Sequence, residues 1–251
     1  AALHLSTLAL NISEGDKVIT SPITFVASAN CIRYSKGEVV FSDIDPETLL
    51  LDIDKVRLLL TNNPDQKFKG IVLVNFAGRS NNLEEFKKLA NEFNLWIIED
   101  ACHSPGGHFI DSKGNKCRSG SGISDLAIFS FHPVKHIATG EGGMITTNNH
   151  ELYLKLLELR SHGITKQKDL LEQNHGGWYY EMYMLGYNYR LTDIQAALGI
   201  SQLKRARLGL EKRRQIVKYY CKNLNNNIII RSKRIEGHAY HLFIIEVNKR
   251  K

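Results

Sequence analysis

Four residues of the chain have side chains that could act together on one small molecule. They are an aromatic ring, a carboxylate, a hydroxyl and an amine, contributed by Phe25 in SPITF, Asp100 in LWIIED, and Ser130 and Lys135 in LAIFSFHPVK. Each one closes or follows a short β-branched run, and the last run leads into the glycine-rich stretch TGEGG. In an open α/β sheet the ligand crevice lies beyond the carboxyl ends of the strands, so we expect these side chains to meet at one edge.

This combination matches the chemical requirements of pyridoxal phosphate. A lysine amine such as Lys135 forms a Schiff base with the aldehyde, a carboxylate such as Asp100 keeps the pyridine nitrogen protonated, and hydrogen-bond donors bind the phosphate. Taken singly, Lys135 would be a surface lysine and Asp100 a helix N-cap. Phe25 alone would be a core residue, and Ser130 alone a buried hydroxyl bonded to the backbone. The prediction of a cofactor site therefore depends on their joint occurrence.

The histidines and cysteines near these residues carry weaker signals. His103, His132 and His136 are individually better explained as structural histidines with satisfied ring nitrogens, and only His103 remains a site candidate. The four cysteines are scattered without a CxxC pair or a histidine at metal-ligand spacing: Cys31, Cys102, Cys117 and Cys221. This pattern predicts reduced thiols in a cytoplasmic protein and no metal site.

The elements that must position these residues alternate between β-branched runs and helical patterns. This alternation predicts an α/β fold, a mainly parallel sheet sandwiched by helices. The predicted strands are Lys17 to Thr20, Glu38 to Ser42, Ile71 to Asn75, Leu95 to Glu99, Leu126 to Phe131 and Met144 to Thr147.

Two helices stand out between and after these strands. One is predicted from Leu83 to Asn94, with Asn82 and Glu85 as a capping box. Its apolar face is formed by Leu83, Phe86, Leu89, Ala90 and Phe93. A longer helix is predicted from Thr192 to about Leu224, interrupted or bent near Gly209.

Strands near Ile228 and Leu242 predict the start of a small C-terminal α+β domain. We therefore divide the chain into a large cofactor-binding domain, residues 1–190, and residues 191–251, which hold the long connecting helix and the start of the small domain. The chain begins without Met in a helical pattern and ends in NKRK, and we expect it to be a fragment with parts of both domains missing.

Composition excludes several other classes of protein. The 251 residues are 43% hydrophobic and 24% charged, as in an ordinary globular chain, and the net charge is +7. Basic residues cluster only between Lys204 and Arg214, where a solvated helix face or an acidic ligand explains them better than nucleic acid. No apolar run of about 18 residues and no leader pattern occur, so neither a membrane span nor secretion is indicated.

Five blocks of the sequence, in order, resemble the DegT/StrS sugar-nucleotide aminotransferases, which have pyridoxal-phosphate fold type I. The blocks are GDKVITSPITFVASAN, IIEDACHSPGG, FSFHPVKHIATGEGGM, RSHGI and LGYNYRLTDIQAALGISQL. SPITF and FHPVKH further resemble the pseudaminic-acid branch. The resemblance implies amination of a UDP-linked 4-keto-6-deoxy-N-acetylamino sugar, with glutamate as the donor and 2-oxoglutarate as the second product.

The resemblance also implies a role for each matching residue. Lys135 becomes the Schiff-base lysine, Asp100 the partner of the pyridine nitrogen and Phe25 the ring that stacks on the cofactor. Ser130 becomes a phosphate ligand, and His103 lies near the phenolic oxygen of the cofactor.

Further implications concern the partner subunit and the phosphate loop. Asn188, in GYNYR, is expected to reach the phosphate bound by a neighbouring subunit, which implies a homodimer with shared active sites. Ala1 is expected to be the last remnant of the phosphate-binding loop. The run VNFAGRS departs from the family because Asn75 and Arg79 stand where relatives commonly have His and Gln, which puts the substrate contacts in question.

Two alternative functions stay open at this point. A related group of pyridoxal-phosphate enzymes removes a hydroxyl from sugars, but it has histidine in place of the lysine, so Lys135 argues against it. A non-catalytic binding or regulatory protein on the same fold is the other alternative. Such a protein would not need both Asp100 and Lys135.

Overall fold

The structure is a computed structural model, and it describes residues 1–173, 175–224, 228–230 and 235–247. The strands are β1 (Lys17–Thr20), β2 (Glu38–Phe41), β3 (Phe68–Val74), β4 (Trp96–Asp100), β5 (His108–Ile110), β6 (Lys116–Arg118), β7 (Leu126–Ser130), β8 (Gly143–Thr146), β9 (Ile164–Thr165), β10 (Glu181–Met182), β11 (Ile229–Ile230) and β12 (Ile245–Glu246). The helices are α1 (Ala2–Ala9), α2 (Ala27–Tyr34), α3 (Ile53–Thr61), α4 (Leu83–Glu92), α5 (His150–Leu159) and α6 (Asp193–Asn223).

A six-stranded sheet in the order β2-β1-β3-β4-β7-β8 forms the centre of the molecule. Its neighbouring strands run parallel except β8, which is antiparallel to β7. The strands predicted from the sequence are the six strands of this sheet, so the predicted mainly parallel α/β fold is confirmed. Three smaller antiparallel pairs, β5 with β6, β9 with β10 and β11 with β12, lie outside it.

Helices cover both faces of the sheet, because successive side chains of a strand point to opposite faces. Within β4, Ile98 belongs to a core shared with α1, α2 and α5, whereas Ile97 belongs to a second core shared with α3 and α4. Both residues are fully buried. The same alternation places the next two residues, Glu99 and Asp100, on opposite sides of the sheet at the end of β4.

Several local predictions were wrong. Asn82 is the N-cap of α4, but its side chain makes no capping hydrogen bond, so the predicted box with Glu85 does not form. A capping box forms instead at α6, where Thr192 Oγ1 accepts from Gln195 N at 3.3 Å and Gln195 Oε1 accepts from Thr192 N at 3.1 Å. The helix α6 also continues through Gly209 without the predicted interruption.

The end of the described chain follows the prediction only in outline. The strand expected near Ile228 lies at Ile229–Ile230, and the strand expected near Leu242 lies three residues later, at Ile245–Glu246. The division between residues 190 and 191 falls just before α6 and stays a prediction. Among the residues that the structure describes, no helix combines the length and apolar character needed to cross a membrane.

Candidate active site

The carboxylate of Asp100 lies at the carboxyl end of β4, in the middle of the sheet. Parallel pairing sets Asp100 beside Val74 of β3 and Ile128 of β7, and Asp100 is only 6% exposed. Cys102 N donates to its Oδ1 at 3.2 Å, and Ser28 Oγ donates to its Oδ2 at 2.9 Å. These two donors fix the carboxylate, and its oxygens keep lone pairs for a further donor.

Lys135 lies on the loop between β7 and β8. A hydrogen bond from Phe131 N to Gly142 O, 2.8 Å long, closes the base of this loop. Burial lowers the pKa of the Lys135 ammonium below its ordinary value of 10.5, while nearby Cys102 and Asp100 oppose that shift. Burial therefore makes the amine easier to deprotonate than that of a surface lysine, as a nucleophile or general base requires.

A group of imidazole rings lies next to Lys135. The rings of His103 and His241 stack with centroids 4.2 Å apart, and His136 lies 5.6 Å from His241. Burial, aided by the charge of Lys135, lowers the pKa of His103 from 6.5 to about 4. Burial and the neighbouring His103 lower the pKa of His241 to about 3. Nδ1 of both rings is buried and has no hydrogen-bond partner among the described residues.

The segment that carries His241 is fixed by Arg213 of α6 and by Gly78 after β3. Arg213 Nη1 donates to the carbonyl oxygens of Tyr240 and His241 at 3.1 and 3.3 Å. Gly78 has a φ of +101°, and a Cβ there would lie 2.8 Å from His103 O and 2.9 Å from the backbone nitrogens of Tyr240 and His241. Only glycine fits this close approach between the His103 turn and the C-terminal segment.

Phe25 and Ser130 occupy the positions that the sequence predicts. Phe25 lies in the turn before α2 and is 71% exposed, so its ring is open to a ligand. Ser130 ends β7 and pairs with Gly143, where a Cβ would lie 3.5 Å from Cβ of Ala2. The first turn of α1, with Ala1 as its N-cap, therefore lies beside the end of β7, and the free N–H groups of a helix start favour an anion.

Asn188 lies apart from this group. It is exposed, and it forms a β-bridge with Ser161. The flanking rings of Tyr187 and Tyr189 pack against His4 of α1, at centroid distances of 4.9 and 6.1 Å. Within the described part of the chain, no hydrogen bond or ion pair joins the Asn188 side chain to the other predicted site residues.

On the opposite side of the sheet, Glu99 is fully buried. Its Oε1 accepts from Asn75 Nδ2 at 2.8 Å, and its Oε2 accepts from Gly120 N at 2.9 Å. Burial raises the pKa of this carboxyl above its ordinary value of 4.5. Asn75 also donates to Ser104 Oγ at 2.9 Å. The asparagine at this position is therefore part of a buried hydrogen-bond network. Arg79 is half-buried, and burial lowers its pKa while Asp45 opposes that shift.

The prediction that the nearby histidines are satisfied was wrong for His103 Nδ1 and for His136 Nε2, which has no partner among the described residues. Burial lowers the pKa of His136 to about 4. His132 differs, since its Nδ1 accepts from Val134 N at 3.4 Å. Sequence reasoning missed His241. The search for residues at the carboxyl ends of strands does not find a residue on a loop near the far end of the chain. It also missed Ser28, although Ser28 lies one helical turn after Phe25.

The residues around Asp100 fit pyridoxal phosphate. An amine with lowered pKa, a buried carboxylate with a free acceptor position, an exposed ring and imidazole nitrogens without partners are the groups that this cofactor needs. In the described ranges, no group of three or more His, Cys, Asp or Glu side chains is arranged to hold a metal ion.

Known proteins are similar over nearly the whole chain. The model of the DegT/DnrJ/EryC1/StrS aminotransferase family matches residues 1–251. The UDP-4-amino-4,6-dideoxy-N-acetyl-β-L-altrosamine transaminase of Campylobacter jejuni is 40% identical over 98% of the chain and 61% of its own length. The GDP-perosamine synthase of Escherichia coli O157:H7 is 36% identical over 90% and 56%.

The chain is also similar to a solved aminotransferase structure. The Helicobacter pylori aminotransferase PseC, involved in the biosynthesis of pseudaminic acid, superposes with a TM-score of 0.84 at 31% identity. The superposition covers 99% of this chain and 64% of PseC. The chain thus spans less than two thirds of the length of these relatives.

Proposed function

The chain belongs to the DegT/DnrJ/EryC1/StrS aminotransferase family, whose cofactor is pyridoxal phosphate, and from this premise we propose that the whole protein is a sugar-nucleotide aminotransferase. It transfers an amino group from glutamate to the C4 ketone of a nucleotide-linked 4-keto-6-deoxy sugar. The sugar we propose is a UDP-linked N-acetylamino sugar of the pseudaminic acid pathway. The observation that carries the proposal is the half-buried Lys135 amine, with its lowered pKa, beside the buried carboxylate of Asp100.

Each residue of the site has one proposed task toward the cofactor. Asp100 keeps the pyridine nitrogen protonated, and Phe25 stacks on the ring. Ser130 and the helix start at Ala1 bind the phosphate, and His103 donates to or accepts from the phenolic oxygen. Bound pyridoxal phosphate supplies an electron sink and carries the amino group between the two substrates.

Lys135 is the proposed catalytic base and acid. Its Nζ takes the proton from Cα of glutamate in the first half-reaction and delivers a proton to C4 of the sugar in the second. A lysine suits both steps because burial lowers the pKa of its ammonium below the ordinary value, which makes the neutral amine easier to reach than on a surface lysine.

We also propose that the protein acts as a homodimer, with Asn188 reaching the phosphate bound by the other subunit. The segment around Asn188 exposes large apolar side chains: Trp178 is 71%, Leu185 77% and Ile194 85% exposed. Exposed large apolar side chains of this kind favour a protein interface. The donor glutamate, its product 2-oxoglutarate and the nucleotide sugar are the proposed small-molecule partners.

The domain division at residues 190 and 191 is part of the proposal, because the groups of the site other than His241 precede it. The proposed location is the cytoplasm. The free cysteines Cys31, Cys102, Cys117 and Cys221 support that location, since reduced thiols persist there.

An amination assay tests the proposed reaction. The whole protein, loaded with pyridoxal phosphate, is incubated with glutamate and a panel of UDP-, dTDP- and GDP-linked 4-keto-6-deoxy sugars, and the aminated nucleotide is identified by mass spectrometry and NMR. We expect the UDP-linked N-acetylamino keto sugar to react fastest, with one 2-oxoglutarate formed per amine transferred.

Two outcomes would change the proposal in different ways. Preference for a dTDP- or GDP-linked sugar would replace the proposed substrate and leave the aminotransferase in place. A protein that binds pyridoxal phosphate but aminates none of the sugars, and forms no 2-oxoglutarate from glutamate, would contradict the proposed reaction itself.

A further inference from the structure

The donors that hold the Asp100 carboxylate come from different parts of the chain. Cys102 N lies two residues away on the same segment, whereas Ser28 Oγ comes from α2. Ser28 is fully buried, and its hydroxyl oxygen also lies 2.7 Å from Thr24 Oγ1. Three side chains, Thr24, Ser28 and Asp100, therefore form one hydrogen-bonded row that ends at the carboxylate.

The proton positions in this row follow from the chemistry of its ends. A serine hydroxyl has one proton and can accept as well as donate. An ionised Asp100 has no proton, so the Ser28 proton must go to Asp100. The Thr24 hydroxyl must then donate its own proton to Ser28. The hydrogen bond that Ser28 accepts from Thr24 polarises the Ser28 hydroxyl, and this strengthens the hydrogen bond from Ser28 to Asp100.

The same two hydroxyl residues flank Phe25. Thr24 immediately precedes it, and Ser28 N donates to Phe25 O at 3.1 Å. At the start of this loop, Ile23 N donates to Ser21 Oγ at 3.1 Å. Ser28 thus holds the backbone of the exposed ring with its N–H group and the carboxylate with its hydroxyl.

We propose that Thr24 and Ser28 are positioning residues that orient the Asp100 carboxylate toward the cofactor and fix the Phe25 loop relative to it. This inference rests on the proposed cofactor site. It assigns no chemical step to either hydroxyl. Without the Ser28 hydroxyl, Asp100 Oδ2 would be a buried oxygen without its donor, and the carboxylate would be free to rotate away from the cofactor's pyridine nitrogen.

Equilibrium binding of pyridoxal phosphate to the whole apoprotein tests this inference. A hydrogen bond to a charged group contributes enough that Ser28→Ala should raise the dissociation constant about tenfold. Thr24→Val removes the more distant hydroxyl at nearly constant volume and should raise it about threefold. Thr24→Ser keeps the hydroxyl and should bind the cofactor as the wild type does.

The double variant gives the sharpest result. Thr24 acts on Asp100 only through Ser28, so Thr24→Val combined with Ser28→Ala should cost no more than Ser28→Ala alone, about tenfold. Independent packing effects would instead multiply to about thirtyfold. Ser124→Ala is the matched control, because Ser124 is a buried serine at the amino end of β7 whose hydroxyl has no partner among the described residues.

Thermal unfolding of each apoprotein separates binding from folding, and Thr24→Val tests the row even if Ser28→Ala does not fold. Wild-type affinity in both single variants, or multiplicative losses in the double variant, would overturn the inference. These measurements need no sugar substrate. A wild type that binds pyridoxal phosphate but aminates no sugar would therefore count against the proposed reaction. It would not count against the positioning role of Thr24 and Ser28.

Discussion

Glu99 and Asp100 lie on opposite sides of the sheet at the end of β4, and different kinds of hydrogen-bond donor hold their carboxylates. On the closed side, formed by Glu99, Asn75 and Gly120, both carboxylate oxygens accept from N–H groups that can only donate. On the open side, formed by Asp100, Ser28 and Lys135, one of the two donors is a hydroxyl, which can accept as well as donate. Burial alone does not mark a functional carboxylate, since Glu99 is the more buried of the two. The two carboxylates differ instead in the kind of donor that holds them.

The largest expected effect is on the open side, at Lys135. Replacing Lys135 by Ala removes both the covalent link to the cofactor and the catalytic base, so turnover should fall by about a thousandfold or more, or about 4 kcal/mol in the barrier. Dialysis should then remove the cofactor, and its visible absorbance band should be lost. Turnover within tenfold of the wild type would assign the base to another residue. Lys88→Ala, at an exposed lysine, is the control.

An exchange of acid for amide at both carboxylates tests the comparison directly. Asp100→Asn should lower kcat about a hundredfold, because the pyridine nitrogen loses its charged partner. Its unfolding free energy should change by less than about 1 kcal/mol, since the Ser28 hydroxyl can reverse and accept from the new amide.

Glu99→Gln should show the opposite pattern. Its new amide group would face either Asn75 Nδ2 or Gly120 N, which cannot accept, so the unfolding free energy should fall by about 1 to 3 kcal/mol. The kcat of the folded enzyme should stay within about threefold. Urea unfolding of the apoproteins and steady-state kinetics measure both quantities. Equal losses of stability in the two variants would remove the distinction between the sides.

The pH dependence of stability should have opposite signs on the two sides. The pKa of His103 is lowered from 6.5 to about 4, so the unfolded chain binds a proton first, and stability is lost as the pH falls from about 6.5 to 4. We expect a loss of about 1 to 2 kcal/mol, after allowing for partial exposure. The pKa of Glu99 is raised above 4.5, so its contribution is unfavourable at neutral pH and is relieved as the pH falls toward 4.5.

Urea unfolding between pH 4 and 8 separates these contributions. His103→Gln should make the acid loss smaller by the share of His103, and the remainder should come from His136 and His241, whose pKa values are also lowered. Glu99→Gln should make the acid loss steeper because the relief from Glu99 disappears. An acid loss that His103→Gln leaves unchanged would mean that folding does not lower the pKa of this histidine.

The smallest expected effect is at Phe25. The ring is mostly exposed in the structure, so Phe25→Leu should change the unfolding free energy by less than about 0.5 kcal/mol. The dissociation constant of pyridoxal phosphate should rise about fivefold, as expected for the loss of about 1 kcal/mol of stacking. A large loss of apoprotein stability would instead place Phe25 in the core.

The sequence predicts the sheet well because its strands are continuous apolar runs buried on both faces, as Ile71 and Ile98 illustrate. Strand ends also single out Asp100 and Lys135, because they mark the ligand crevice, and the roles of both residues stay predictions. Helix ends were less predictable: Asn82 has the right residue type but its side chain makes no capping bond, whereas Thr192 does. The choice depends on side-chain direction, which neighbouring packing decides.

The partners of the predicted residues were harder to predict. Ser28 and His241 join the site through contacts between residues far apart in the sequence, and no local pattern distinguishes such a serine or histidine from many others. Glu99 was also missed, because its hydrogen bond from Asn75 joins residues far apart in the sequence.

His241 stacks on His103, and Arg213 holds the His241 segment in place. The surroundings of Lys135 therefore include a residue that is synthesised long after the central sheet. The six strands of the central sheet that the structure describes lie before residue 147, so they are synthesised before α6 and His241. Chains fold from the N-terminal part as they emerge. His241 therefore reaches the surroundings of Lys135 after these six strands have been made, and the nascent chain passes through a stage in which His103 lacks its stacking partner.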